Sequence, residues 1–427
     1  MLCVRWSVAG PWGRSYPRSR RLAFSCRSNL RITRSQQRVH FLVWFSTSEM
    51  SRDRKVIVLT PPGRSAIATV RIEGVDALLD VCRYLSTRKG NPVNITPAAR
   101  PILARLKLPL GGSEEVVLHA ASGECVEIHC HGSPLLVEQI VDLFVQMGYA
   151  RESVEAWIDR TESDIIAAEA RRSLCEVLTF RGVQILIDQY RGALKGRVEV
   201  VQHLIQTKNM EGTIELLDEL LRWGELGLHL VKPWKVALVG PANVGKSSLL
   251  NRLVGYDRAI VDATPGTTRD FVTAVTAIDG WPSELCDTAG LRQPQDPIEE
   301  EGVRRTLAVA DAADLVVLVF SCADPWSKDY DSWRERWPRS LVVYNKCDLP
   351  AAQGDRPAGL EVSAVSGHGL AELEQEVVNR LVPVVPSPGT AVPFTDRQIR
   401  LLRQTRDAVL RGDYSEAEKH ISTLLGH

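Results

Sequence analysis

Apolar and polar positions follow distinct patterns along the chain. Between 51 and 150, short β-type runs such as Lys55–Leu59 and Ile67–Ile72 flank turn residues, which predicts a small α/β domain. Between 151 and 232, apolar residues recur at helical spacing, as in Ile214–Leu221, and turn signals are few. This second stretch is therefore predicted to be all helical.

A third pattern covers residues 233–383, where apolar runs typical of buried strands alternate with helical stretches. Helical spacing then returns over Asp396–Leu425, with a break at Gly412. A helical domain interrupted by an inserted α/β domain would explain both helical pieces. We therefore expect an N-terminal α/β domain at 51–150, a helical domain at 151–232 plus 384–427, and an inserted domain at 233–383.

The composition is that of an ordinary globular protein with room for two or three hydrophobic cores. The chain has 427 residues, of which 44% are apolar and 24% are charged. No apolar run approaches the ~20 residues that cross a bilayer, so we expect no membrane span. The nine cysteines are scattered and form no Cys-x-x-Cys pair, which predicts reduced thiols without disulfides or zinc.

Charge is distributed unevenly, although the whole chain has 52 basic and 52 acidic residues. Residues 1–49 carry nine Arg, no Lys and one acid, Glu49, which leaves an excess of eight acidic residues in the rest. Any nucleic-acid contact therefore needs a local basic patch.

The Arg-rich segment 1–50 has two interpretations. It is either an organellar transit peptide or the product of a mis-assigned start, with Met50 as the true first residue. The first interpretation places the protein in the mitochondrial matrix and the second in the cytoplasm. We expect disorder in both cases.

Cysteine and histidine cluster in one predicted strand, Gly123–Gly132, which runs into a helix predicted from Pro134 to Met147. Successive strand residues point to opposite faces, so His129 and His131 share a face that Cys130 opposes. This alternation disfavours a shared metal ion. We interpret the run as an ordinary strand.

The segment Gly240–Ser247 carries the strongest chemical signal. Its sequence, Gly-Pro-Ala-Asn-Val-Gly-Lys-Ser, fits the phosphate-binding loop G-x-x-x-x-G-K-[ST], and it follows a buried-strand run at 235–239. In such a loop, backbone N–H groups wrap the phosphates, Lys246 meets the β and γ oxygens, and the Ser247 hydroxyl binds Mg²⁺. We therefore expect a nucleotide and Mg²⁺ at this loop.

Two later segments are expected near the γ-phosphate, and the first lies at the distance expected of a switch that senses this phosphate through Mg²⁺. Thr267 and Thr268 lie in the run Pro-Gly-Thr-Thr-Arg-Asp, and Thr268 is the expected Mg²⁺ ligand. Two β-type runs around Asp279-Gly280 predict a hairpin that ends in the run Asp-Thr-Ala-Gly. In that run, Asp287 would hold Mg²⁺ through water, and the Gly290 N–H would meet the γ-phosphate.

The identity of the base is predicted from the run Asn345–Asp348, Asn-Lys-Cys-Asp. Asp348 can accept both N–H protons of guanine N1 and N2, a pattern that adenine does not offer. The run Ser363–Val365 would complete the pocket through a backbone amide to guanine O6. Five such segments in order predict a domain that binds and hydrolyses GTP. The expected GTP-binding residues are Asn243, Val244, Gly245, Lys246, Ser247, Ser248, Thr267, Thr268, Asp287, Gly290, Asn345, Lys346, Asp348, Ser363, Ala364 and Val365.

These motifs together give the chain a specific resemblance. The loop form Asn-Val-Gly-Lys-Ser-Ser-Leu-Leu-Asn, the runs Gly-Thr-Thr-Arg-Asp and Asp-Thr-Ala-Gly-Leu-Arg, and the N-terminal Thr-Pro-Pro-Gly-Arg make it similar to the tRNA modification GTPases MnmE (TrmE) over most of 51–425. The resemblance implies a P-loop GTPase domain inserted into an all-helical domain, behind an N-terminal folate-binding-like α/β domain. It also implies a homodimer, tRNA as substrate and a flavin-dependent partner of the MnmG type.

The resemblance further implies an unusual catalytic set, in which a potassium ion neutralises developing phosphate charge in place of an arginine finger. The potassium ligands would be Asn243, Asp262, Thr264 and Thr267. Glu299 would position the attacking water, because Leu291 cannot orient water as a Gln does. The alternative for Glu299 is a solvated charge in the run Glu299–Glu301. Lys246 is the second catalytic residue expected.

The chain departs from the family pattern where tRNA chemistry and folate binding are expected. Family members end in Cys-Ile-Gly-Lys, whereas this sequence has no cysteine after Cys347. Arg71 and Glu127 match residues that would bind 5-formyltetrahydrofolate, but the family's Lys in the helical domain falls near Glu162, a reversed charge. Two hypotheses follow: a divergent MnmE acting on the tRNA wobble uridine, or a regulatory or ribosome-assembly GTPase without tRNA chemistry.

Overall fold

The computed structural model describes residues 54–427 apart from 62, 94, 98–99, 259–271, 288–303 and 305–306. The segment 1–50 therefore lies outside the described residues. So do six residues of the expected GTP, Mg²⁺ and potassium sites: Asp262, Thr264, Thr267, Thr268, Gly290 and Glu299. In the described part of the chain, no helix is both long enough and apolar enough to span a bilayer.

A seven-stranded sheet occupies the first part of the described chain. Its strands are β1 (Lys55–Val58), β2 (Ser65–Glu73), β3 (Leu85–Ser86), β4 (Ile102–Lys107), β5 (Ser113–Ser122), β6 (Cys125–Gly132) and β7 (Ala150–Glu152). They are ordered β3-β4-β5-β6-β2-β1-β7. Neighbours pair antiparallel except β1 and β7, which are parallel. Strands β1 and β2 confirm the two predicted β-type runs.

Helices α1 (Ala77–Cys82) and α2 (Pro134–Gln146) cover the apolar face of this sheet. Helix α2 confirms the helix predicted from Pro134. The alternation predicted for β6 is also confirmed, because Cys130 lies in the core while His131 is exposed on the other face. The sequence pattern does not predict strand β7. Its residues 151–152, expected in the helical domain, complete the sheet beside β1, where Ala150 N donates to Arg54 O.

The following stretch is helical, as its spacing predicts. Its helices are α3 (Val154–Thr161), α4 (Ile165–Glu176), α5 (Phe180–Tyr190), α6 (Ala193–Gln206), α7 (Met210–Arg222) and α8 (Gly224–Leu228). Ser153, Asp164 and Thr179 begin α3, α4 and α5, and each side chain accepts a hydrogen bond from a first-turn N–H. Helix α7 buries Leu217 and Leu220 of the amphipathic run, which confirms its predicted apolar face.

A second, six-stranded sheet follows. Its strands are β8 (Trp234–Val239), β9 (Val272–Ile278), β10 (Trp281–Asp287), β11 (Leu315–Ser321), β12 (Leu341–Asn345) and β13 (Leu360–Glu361). The helices of the same domain are α9 (Lys246–Arg258), α10 (Asp329–Arg336) and α11 (Leu370–Leu381). The order is β13-β12-β11-β8-β10-β9, parallel except for the edge strand β9. Asp279 and Gly280 turn the β9–β10 hairpin with φ of 45° and 79°, which confirms the predicted turn.

Two further helices, α12 (Asp396–Leu410) and α13 (Tyr414–Leu425), return to the helical region. Gly412 separates them with φ +77°, as the sequence predicts. The buried side chain of Gln189 in α5 donates to Thr390 O at 3.0 Å and accepts from Val392 N at 3.1 Å. These two bonds hold the segment before α12 against α5. The helical domain is therefore interrupted by the inserted α/β domain.

Candidate nucleotide-binding site

The carboxyl ends of β8 and β10 and the start of α9 meet at one edge of the second sheet, where open α/β sheets bind ligands. The turn between β8 and α9 requires its glycines. A Cβ on Gly240 would collide with the carbonyl oxygen of Val319, and Gly245 has φ +92° beside the Asn345 amide. Glycine therefore lets the chain turn tightly and leaves backbone N–H groups at the start of α9 for an anion.

The ammonium group of Lys246 is enclosed by this loop. The residue is 6% exposed, and Nζ donates to the carbonyl oxygens of Gly240 at 3.1 Å and Pro241 at 2.8 Å. Burial lowers the pKa of Lys246, and the Asp287 carboxylate opposes this shift without cancelling it. A buried cation with neutral carbonyl partners gains stability when an anion enters, so the geometry suits a phosphate group.

Ser247 and Asp287 supply oxygen atoms of the kind that Mg²⁺ prefers. The Ser247 hydroxyl donates a hydrogen bond to Asp287 Oδ2. Asp287 Oδ1 is buried and has no partner among the described residues. A buried carboxylate oxygen without a donor is costly, and a hard cation would satisfy it. The residues present therefore fit a Mg²⁺ ion bound with the nucleotide, which would neutralise phosphate charge.

The Asn345 side chain joins the base-recognition segment to the phosphate loop. Asn345 is 2% exposed; its Nδ2 donates to Val244 O at 2.9 Å and its Oδ1 accepts from Ala364 N at 3.1 Å. A second link runs from Lys346 Nζ to Asn243 O at 2.6 Å. Segments about one hundred residues apart are thus held together, and the phosphate and base sites keep a fixed separation.

The Asp348 carboxylate is oriented by Ser363. The Ser363 hydroxyl donates to Asp348 Oδ1 at 2.6 Å and accepts from Ser366 N at 3.0 Å, and Ser363 is fully buried. This pair holds the carboxylate in one orientation, as recognition of two guanine N–H groups requires. Val365 is 81% exposed, so its backbone is the part available to a base.

The structure thus brings one set of predicted residues to the same sheet edge: Asn243, Val244, Gly245, Lys246, Ser247, Ser248, Asp287, Asn345, Lys346, Asp348, Ser363, Ala364 and Val365. Sequence reasoning missed the carbonyl oxygens of Gly240 and Pro241 as partners of Lys246. No side chain identifies a carbonyl, so only the loop pattern could have indicated them. It also missed the role of Asn345 as a tie between segments.

Arg71 and Glu127, the residues expected for folate, lie in the first sheet. They are cross-strand partners on β2 and β6, and Arg71 Nη1 lies 2.9 Å from Glu127 Oε1. The register of the sheet therefore brings the two predicted residues together. His129, on the same face of β6, is hydrogen-bonded through Nδ1 to Thr69 Oγ1 at 2.9 Å.

Fold and site together define a P-loop GTPase, and a family model described as a 50S ribosome-binding GTPase matches residues 235–346. A tRNA modification GTPase MnmE of Thermus thermophilus is 30% identical over 391 residues, which are 83% of this chain and 88% of that protein. Another, of Koribacter versatilis, is 32% identical over 372 residues, 76% of this chain and 81% of that protein. The chain belongs to the MnmE family of tRNA modification GTPases.

Family membership confirms the resemblance drawn from the motifs, and with it GTP binding and GTP hydrolysis. Among solved structures, the G domain of the T. maritima FeoB iron transporter is 28% identical and covers 34% of this chain and 98% of that chain. The TM-score of 0.28 is too low to support a comparison of the two folds.

Proposed function

We propose that this protein uses GTP hydrolysis to drive modification of the tRNA wobble uridine, as a homodimer acting with a flavin-dependent partner of the MnmG type. The supporting observation is that similarity to MnmE proteins extends over 83% of the chain, well beyond the matched range 235–346. A GTPase with an unrelated task would be expected to share the nucleotide-binding domain alone. In this proposal, the inserted domain at 233–383 changes state with GTP hydrolysis. The domains at 51–150 and 151–232 plus 384–427 respond to that change.

Potassium assistance is part of the proposal. Asn243 has φ +65° and its carbonyl oxygen is held by Lys346, while no described residue hydrogen-bonds its side chain. Among the described residues, nothing therefore competes with a weakly hydrated cation for the Asn243 amide oxygen. The other proposed ligands, Asp262, Thr264 and Thr267, and the proposed water-positioning Glu299 lie outside the described residues. A potassium ion beside the phosphates would supply the positive charge that an arginine finger supplies elsewhere.

Analysis of tRNA nucleosides tests the proposed role. Deleting the gene in its own host should abolish the modified wobble uridine, measured by mass spectrometry of digested tRNA. Wild-type protein should restore the modification, and Lys246→Ala should not, because it removes the phosphate-binding ammonium. Unchanged wobble uridines in the deletion strain would reject the tRNA role. Altered ribosomal subunit profiles in that strain would then favour the ribosome-assembly alternative.

The rate of GTP hydrolysis in different salts tests the proposed role of potassium. GTP hydrolysis should be much faster in KCl than in NaCl at equal ionic strength, because Na⁺ is too small for the proposed loop. Equal rates would reject potassium assistance. Glu299→Ala should abolish GTP hydrolysis and leave the affinity for GDP unchanged. The neighbouring Glu300→Ala is the control and should leave the rate of hydrolysis unchanged.

We place the protein in the cytoplasm, or in the mitochondrial matrix if residues 1–50 are removed as a transit peptide. Sequencing the N-terminus of the mature protein decides between the two.

A further inference from the structure

The indole of Trp157, at the start of the helical region, lies beside Arg71, one of the two residues expected for folate. Trp157 belongs to α3 and is 8% exposed. The guanidinium carbon of Arg71 lies 5.2 Å from the centre of the indole ring, and that of Arg171 lies 4.3 Å from it. A flat aromatic ring of the chain itself therefore sits beside Arg71, with two guanidinium groups over it.

The Glu73 carboxylate accepts hydrogen bonds from three side chains around this ring. Its Oε1 accepts from Arg71 Nε at 2.6 Å and from Trp157 Nε1 at 3.1 Å, and its Oε2 accepts from Arg160 Nη2 at 2.7 Å. Burial would raise the pKa of Glu73, but the hydrogen bonds from Arg160 and Arg71 outweigh it and lower the pKa. The carboxylate is therefore charged and fully engaged by its own chain.

The remaining acids of the cluster are engaged as well. Glu127 Oε1 accepts from Arg71 Nη1 at 2.9 Å, and Glu127 Oε2 lies 3.7 Å from His119 Nδ1. Glu162 lies near the position at which family members have a lysine, and its carboxylate accepts a hydrogen bond from Arg171 Nη1 at 2.7 Å. The reversed charge at this position thus has a structural partner, and that partner is the arginine that stacks on Trp157.

A reduced folate carries a flat pterin ring that needs hydrogen-bond partners and a glutamate tail whose carboxylates need cations. In this cluster Arg71 is neutralised by Glu73 and Glu127, and Arg171 is neutralised by Glu162. Freeing Arg71 for a ligand would remove one of the two guanidinium partners of Glu73, whose side chain is only 16% exposed, and would leave Arg160 as its one remaining counter-charge in the cluster. The residues present therefore do not fit the group that the family implies.

We infer that this protein does not hold 5-formyltetrahydrofolate at Arg71 and Glu127, because Trp157, Arg160 and Arg171 occupy the site and fasten the first sheet to α3 and α4. The cluster joins strands β2 and β6 to both helices through charged and aromatic contacts. The inference concerns the N-terminal sheet and the two helices joined to it, and it stands apart from the proposed role of GTP hydrolysis.

Calorimetric titration of the full-length protein with 5-formyltetrahydrofolate tests the first half of the inference. We expect no saturable heat at ligand concentrations in large excess over protein, while the same preparation binds GDP and so proves to be folded. Saturable binding with one folate per chain would overturn the inference. Loss of GDP binding, by contrast, would count against the nucleotide site and not against this inference.

Thermal unfolding of Trp157 variants tests the second half. Trp157→Ala should lower the unfolding temperature by several degrees, and Trp157→Phe by less, because it keeps a ring but loses the N–H bond to Glu73. Arg88→Ala is the matched control, since it breaks an exposed pair with Glu115 in the same sheet and should leave the temperature unchanged. An unchanged unfolding temperature in Trp157→Ala would overturn the proposed joint.

Discussion

Glu169 of α4 and Arg397 of α12 form a bidentate ion pair although 228 residues separate them in sequence. Arg397 Nε and Nη2 donate to the two Glu169 oxygens at 2.6 and 2.8 Å, and Gln398 Nε2 adds a bond of 2.7 Å to Oε2. Arg397 Nη1 also donates to Thr423 O near the end of α13. The two helices stand on either side of the inserted domain in the chain, so this pair closes the helical domain around the insertion.

Replacing Glu169 by Gln should lower the free energy of unfolding by about 3 kcal/mol, because Arg397 loses its counter-charge in a largely buried position. The two side chains are 8% and 25% exposed. Urea denaturation measures the change. Glu376→Gln, which breaks the exposed pair with Arg380, should cost less than about 1 kcal/mol. Equal effects of the two substitutions would contradict the importance of the buried pair.

Lys246→Met should make the nucleotide-free protein more stable at neutral pH. Burial lowers the pKa of Lys246 from its ordinary 10.5, so the folded chain disfavours the ammonium form relative to the unfolded chain. The penalty is fully present below the folded pKa and disappears as pH rises to 10.5. The stability gained by the variant should therefore shrink between neutral pH and about pH 10.5, as measured by urea denaturation across that range.

The same substitution should weaken GDP binding about 10- to 100-fold, because one charged hydrogen bond to phosphate is lost. Lys235→Met, on the exposed side of β8, is the control and should change neither property. A pH-independent gain in stability, or unchanged GDP affinity, would speak against an enclosed phosphate-binding ammonium at Lys246.

Asp287→Asn should remove the dependence of GTP binding on Mg²⁺. The buried Oδ1 has no described partner, and an amide supplies no negative charge for the ion. Affinity for a non-hydrolysable GTP analogue, measured with Mg²⁺ and with EDTA, should differ in the wild type and become nearly equal in the variant. Glu284→Gln in the same strand should behave like the wild type. A variant that still responds to Mg²⁺ would place the ion elsewhere.

Asp348→Asn should weaken guanine recognition by about 1–3 kcal/mol, roughly 5- to 150-fold in affinity, because an acceptor for guanine N–H groups is replaced by a side chain that also donates. Competition between GDP and ADP measures the selectivity. Asp355→Asn, an exposed acid beyond the same segment, should leave it unchanged. If Asp348→Asn kept the preference for guanine over adenine, the assignment of this carboxylate to the base would be wrong.

Features with a short-range physical cause were predictable from the sequence. The phosphate loop follows from glycines that a tight turn requires, and the hairpin at Asp279-Gly280 follows from two residues that tolerate positive φ. Helix α2 and the break at Gly412 follow from local signals of the same kind. Strand β7 escaped prediction because three residues carry too little periodicity, and their strand form depends on β1 nearly one hundred residues earlier.

Pairing between distant residues could not be derived in the same way. The sequence marks Glu162 as a reversed charge, but nothing in it says that Arg171 neutralises the charge or that Trp157 stacks beneath that arginine. Asn345 was assigned to the nucleotide, while its buried amide also ties two loop segments together. Such partners are chosen by sheet register and helix packing, which no local pattern encodes.

The sequence by itself determined that this chain has a GTP-binding domain inserted into helices, because phosphate and guanine recognition need particular residue types at short, fixed spacings. Only the tertiary structure decided which charges are already neutralised by neighbours and which remain for a ligand. The reason is that an ion pair such as Arg71 with Glu73 and Glu127 depends on distances of a few ångströms between atoms that lie far apart in the chain.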